Sequence, residues 1–149
     1  MKKHTLLRAG IAAHNPHQYN VVIGTDMGQF SGTVICREED YKYESAYFGF
    51  ELAEIKAEIQ WARAKRNHWD ARLKALTNFA KTMCSMNSYG DDSYHWADIL
   101  LKQIEEAESE CEDWRNRIDA MKRLYHHKIE AFDATAQARA RIDARDGRA

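Results

Sequence analysis

At 149 residues the chain has room for one domain, and a hydrophobic share of 44% is enough to give that domain a core. Its 22 basic and 23 acidic residues leave a formal charge of -1, so no global field draws it to nucleic acid or to an anionic membrane. No apolar run approaches the roughly 18 residues a membrane span needs, and Met1-Lys2-Lys3 followed by the short Leu6-Leu7 patch is unlike a signal peptide, so a soluble, cytoplasmic protein without membrane contact is expected.

Residues 1–37 differ in texture from the rest, holding most of the glycines, the single proline and two β-branched runs. Tyr19 to Ile23 and Phe30 to Cys36 read as strands joined by the turn-forming stretch Gly24 to Gln29, which predicts a β-hairpin. Thr5 to Ala13 fits a third strand or a short helix, its period being too short to decide.

From residue 40 the pattern changes to heptads. Counting back from Met83 in steps of three and four passes through Leu76, Leu73, Trp69, Ala62, Ile59, Ile55, Leu52 and Phe48, and counting forward from Ala97 passes through Leu100, Ile104, Cys111, Trp114, Ile118, Met121, Tyr125 and Phe132. Facing layers have residue numbers that add to 180, and large residues oppose small ones, as Trp69 with Cys111 and Leu73 with Ala107. The fold class predicted is α+β, mostly α: an N-terminal β-hairpin followed by a long antiparallel helical hairpin of coiled-coil character. The boundaries within a single domain of residues 1–149 are 1–37 for the hairpin region, 40–83 for helix one, 93–142 for helix two and 143–149 for a frayed tail. Cys84 to Ser93 forms the connection, with Asn87 and Gly90 favouring a turn and Asp92 or Ser93 capping the second helix.

Two seam positions are charged. Arg66 faces Trp114 and is expected to lay its guanidinium on the indole, while Lys128 opposite Leu52 reaches out to water. Flanking charges complement each other, with Glu106 facing Lys74 and Glu108 facing Arg72.

Motifs with chemistry are scarce. Three cysteines without CxxC spacing oppose a disulfide framework or a zinc site, and the register separates Cys84 from Cys111 by about 22 Å of helix, too far to bridge. The acidic run Glu105 to Asp113 has its basic counterpart on helix one. His126 or His127 with Glu130 lacks a second cluster opposite, and His14 with His17 would need further ligands such as His4 or Cys36. There is no nucleophile elbow and no phosphate-binding loop. No enzyme activity, metal or cofactor is expected.

The feature that points to function is a second apolar stripe on helix one, opposite its seam: Tyr43, Tyr47, Phe50, Ala57, Trp61, Ala64 and Ala71. Strands of five to seven residues span about 23 Å, enough to cover Tyr43 to Phe50 and to leave Trp61 exposed. A protein-binding module is therefore expected, an inhibitor or adaptor of a larger complex of the kind that phages and mobile elements direct at a host, with Tyr47, Phe50, Trp61 and His68 at the interface. A homodimer forming a four-helix bundle, helped by Trp96, Leu101, Leu124 and Ile129, is the structural alternative. A nucleic-acid-associated protein using the basic half of helix one and Arg139, Arg141, Arg145 and Arg148 is the functional one.

Overall fold

A computed structural model describes residues 3–36, 45–86 and 93–145. Three strands, β1 (Thr5–Ala12), β2 (Asn15–Thr25) and β3 (Gly28–Ile35), precede two long helices, α1 (Ser45–Met86) and α2 (Ser93–Arg145). The fold is α+β and mostly α, and the strands form one antiparallel sheet in the order β1-β2-β3. Thr5 to Ala12, undecided from its own sequence, is a strand because β2 pairs with it, setting Leu6 beside Ile23, Ala9 beside Val21 and Ile11 beside Tyr19.

Alternation in β2 drives one face of the sheet inward. Tyr19, Val21 and Ile23 are at most 5% exposed, and their β3 neighbours in register include Val34 and Gly32. Each aliphatic side chain withdrawn from water in this way contributes roughly 1.5–3 kcal/mol. The β2–β3 turn needs only Asp26 and Met27, since Thr25 already pairs with Gly28. Thr25 Oγ1 accepts a hydrogen bond from the Met27 amide (3.1 Å) and donates one to the Gly28 carbonyl (2.9 Å). Gly28 has φ 105°, a left-handed conformation that a Cβ would strain.

Helix α1 lies on the buried face of the sheet at very close range. A Cβ on Gly32 would sit 1.9 Å from the Ala53 carbonyl oxygen and 2.6 Å from the Ala57 nitrogen, and one on Gly49 would meet the Tyr19 ring at 2.5 Å. Gly49, Ala53 and Ala57 recur at helical spacing and form the narrow strip that permits this approach. Ala53 and Ala57 are fully buried.

By contact, the chain divides into two compact units, residues 1–61 with 119–149 and residues 62–118. In the first, Phe48 and Phe132 stack at 4.1 Å between centroids and 14° between planes, a layer whose numbers add to 180. Lys128 reaches Glu51 in an ion pair, and Lys56 Nζ lies 5.6 Å from the Tyr125 ring centre. In the second, Ala62, Leu100, Ala107, Cys111 and Ile118 are buried.

Two expectations for this second unit are corrected. The cations over the Trp114 ring are Lys65 at 5.8 Å and Arg117 at 5.1 Å, whereas Arg66 donates to Asn67 Oδ1 instead (3.4 Å). A guanidinium near a helix edge retains water by turning outward, and its neighbours fill the ring face. Among the described residues, the ion pair joining the helices of this unit is Arg115 with Asp70 at 3.2 Å, not Glu106 with Lys74 or Glu108 with Arg72, whose exposed charges gain little from pairing.

The helix boundaries also shift. Helix α1 continues through Cys84 and Ser85 to Met86, residues that the sequence assigned to the connection. Helix α2 runs to Arg145, past the expected end at 142, because Ala140 to Arg145 contains good helix formers and no breaker. Tyr43, the residues 87–92 expected to form a turn, with Asn87, Gly90 and Asp92, and residues 146–149 of the expected frayed tail, with Arg148, lie outside the described residues.

Candidate functional site

Ala57 and Trp61, on the stripe of α1 opposite its seam, are covered by the chain's own sheet, which overturns the expectation of an exposed Trp61, whereas Tyr47 and Ala71 of that stripe remain exposed. Strand β2 has 11 residues rather than five, so at 3.3 Å each it spans about 36 Å and carries the hairpin turn to the middle of α1. There Trp61 Nε1 donates to Asp26 Oδ1 at 3.0 Å, and the side chain is 2% exposed. Phe50 is half-buried and meets the Tyr19 ring edge-on at 5.1 Å. The four residues expected at an interface therefore separate: Trp61 and Phe50 hold the sheet, while Tyr47 is 75% exposed and His68 is exposed, edge-on to Trp69 at 5.6 Å.

Beside Trp61 the structure assembles a cluster that the sequence did not disclose. His4 precedes β1, whose first pair is Thr5 with Gly24, and this sets the imidazole against the flank of α1. Glu54 and Glu58, one helical turn apart, both face it. His4 Nε2 lies 2.9 Å from Glu54 Oε1 and 3.0 Å from Glu58 Oε1, with side-chain exposures of 1% for His4, 20% for Glu54 and 12% for Glu58. The His4 ring centre is 6.4 Å from that of Trp61. His4 Nδ1 is buried without a hydrogen-bond partner. Next to the cluster, Lys3, His4, Thr5, Leu7, Gly24, Thr25 and Asp26 line an open depression of about 580 Å³.

One ring nitrogen facing two carboxylates can share a proton with them as an ion-paired hydrogen bond, or join them as a nitrogen-and-oxygen donor set. From sequence, His4 enters only as an accessory to His14 and His17, and neither Glu54 nor Glu58 is singled out. Neither His14, in the turn between β1 and β2, nor His17, in β2, belongs to this group, and the backbone of His17 accepts a bond from the Cys36 amide and donates one to Asn15 Oδ1. His126, His127 and Glu130 line a shallow depression with Arg123, whose positive charge opposes a cation. Among the described residues, His4, Glu54 and Glu58 are the one group of three with ligand atoms close enough to share an ion. The signal that would have found them is the Glu54-x-x-x-Glu58 pair on a face next to Trp61, which needed a sheet to complete it.

A second feature is strand β1 itself. It is an outer strand of the sheet, and Leu6, Leu7 and Ile11 are 51%, 45% and 50% exposed. Leu6, Ala9 and Ile11 share by register the face of Ile23, Val21 and Tyr19, yet they remain in solvent. The close approach of α1 is over Gly32 on β3, and its cover does not extend to β1.

The cysteines do not add a reactive centre. Cys36 and Cys111 are buried, Cys84 is exposed, and none of the three is in a disulfide. Burial pushes the Cys111 thiol up to about 11, and the Asp70 carboxylate beside it acts in the same direction. It is therefore protonated and a poor nucleophile at neutral pH. The chain matches no protein-family model, and neither a curated protein nor a solved structure matches it.

Proposed function

We propose that the protein is a binding module, an adaptor or inhibitor that docks on a larger protein by taking an extended segment of that partner alongside β1. The observation that carries this reading is β1: eight residues at the edge of the sheet, apolar side chains in solvent on both faces, and a backbone edge with donors and acceptors for another strand. Edge strands of this kind pair with added strands unless they are short, charged or covered. In such pairing, main-chain hydrogen bonds supply affinity and alternate side chains supply specificity. Arg8 is the only charged residue within β1, so the segment that fits is apolar with an acidic side chain opposite Arg8. Tyr47, in the same unit and exposed, remains a contact residue in this reading.

The test compares the wild type with a Leu6→Lys, Ile11→Lys double variant in capture from a bacterial lysate, with circular dichroism confirming that both are folded. The expected result is a partner retained by the wild type at moderate salt and lost by the variant. Capture of the same proteins by both would overturn the reading. So would binding that collapses steeply as salt rises, the mark of phosphate contacts, or light scattering that shows a wild-type dimer and a monomeric variant, which would make the occupant a second copy of the chain.

A further inference from the structure

We propose that His4, Glu54 and Glu58 form a site for one divalent transition cation of the zinc or manganese class. The proposal does not depend on docking at β1.

The donor set is one imidazole nitrogen and two carboxylate oxygens. Zinc takes that combination in tetrahedral sites, and manganese tolerates it, whereas calcium and magnesium favour oxygen alone. A tetrahedral ion with bonds of about 2.0–2.1 Å separates its ligand atoms by about 3.3 Å. The nitrogen-to-oxygen separations are 2.9 and 3.0 Å, and the ligand atoms all lie within 4.8 Å of one another. Side-chain adjustments of a few tenths of an ångström open the two nitrogen–oxygen edges to that size, with no change in the backbone.

The supports are rigid. Both glutamates project from successive turns of α1, and the backbone of His4 is held next to the first pair of β1. The His4 ring is 1% exposed with no partner on its Nδ1 side, so its orientation is set by what Nε2 faces, which is the carboxylate pair. With Nε2 as ligand the imidazole is neutral, the two carboxylates carry a charge of -2, and a divalent ion cancels it in surroundings where an uncompensated charge is costly. His4 also lines the open depression with Lys3, Thr5 and Asp26, which gives an ion a way in and leaves its fourth position to water. An ion here ties the start of β1 to α1.

The test uses the full chain stripped with a chelator and titrated calorimetrically with zinc alone, then manganese alone. The expected result is one equivalent of bound zinc, a higher melting temperature with it, loss of that equivalent in a Glu54→Gln, Glu58→Gln double variant, and retention in a His14→Gln, His17→Gln variant. Binding unchanged by the glutamate substitutions, or abolished by those at His14 and His17, would overturn the proposal, as would the absence of stoichiometric binding. If the glutamate variant fails to fold, Co²⁺ added to the wild type decides. It should perturb the ring resonances of His4 before those of His14, His17, His126 and His127, and the reverse order would be fatal to the site.

Discussion

The indole of Trp61 fills the space between α1 and the β2–β3 turn, and its N–H meets the Asp26 carboxylate. Trp61→Ala should cost about 3–5 kcal/mol through the cavity it leaves. Trp61→Phe keeps most of the bulk, removes the donor to Asp26, and should cost about 1–3 kcal/mol. Urea denaturation measures both, and a Trp61→Ala loss below about 1 kcal/mol would show that the sheet does not rest on this side chain. At the thiols, Cys84 should be alkylated by iodoacetamide well before Cys36 and Cys111, as mass spectrometry of the peptides will report. In the folded chain Cys111 keeps its proton up to about 11, above the ordinary range of a thiol, because burial disfavours the thiolate. The folded state thus binds more protons than the unfolded one between roughly pH 9 and 11, and stability must fall as pH rises through that window. Cys111→Ala, less stable at neutral pH, should show a shallower decline across it.

At the scale of elements, the contact between α1 and the sheet is set by glycine and alanine rather than by large side chains. Gly32→Ala forces β3 away from the Ala53 and Ala57 backbone and should lower stability by about 1–3 kcal/mol or more, as overpacking does. Gly10→Ala is the control, with nothing within 4 Å of its added Cβ, and should change stability little. Thermal melts of the two distinguish a close crossing from a general effect of removing glycine. The same elements show what the sequence could and could not disclose. The helices were legible because the heptad pattern repeats over some forty residues, long enough for a period to stand out, and the Phe48–Phe132 stack falls in its register. The strand lengths were not legible. Asn15-Pro16-His17-Gln18 has no period that places it on a regular element, yet it belongs to β2, with Asn15 paired to Ala12 of β1 and Gln18 to Ile35 of β3. That misjudged length is what left Trp61 seemingly bare. Of the alanines expected to offer a flat surface to a partner, Ala57 is buried under the strand containing Gly32, Ala64 is half-buried and Ala71 is exposed.

Across the whole molecule, charge and topology act together. A formal charge of -1 gives no long-range pull on a partner, so the docking proposed at β1 would rest on contact, along a strand that is apolar with a single cation, Arg8. The His4, Glu54 and Glu58 cluster was beyond sequence reading for a different reason: its members come from the start of the chain and from α1, 50 positions apart for His4 and Glu54, and the Glu54–Glu58 spacing on α1 lacks a third ligand until the fold brings His4 to it.

The hydrogen bond from Trp61 to Asp26 spans 35 residues of chain, while each helix and the tight β2–β3 turn is closed by contacts only a few residues long. Local contacts are made first because they close short loops, and a long loop must give up its entropy before the distant contact rewards it. Helix α1 and the hairpin are therefore expected to form early on the way to the native state, with the arrival of the turn at Trp61 a late step, for which substitutions at Trp61 and Asp26 should give φ-values near zero. On that order, substitutions that loosen the seat of the eleven-residue strand on α1 should speed unfolding more than they slow folding.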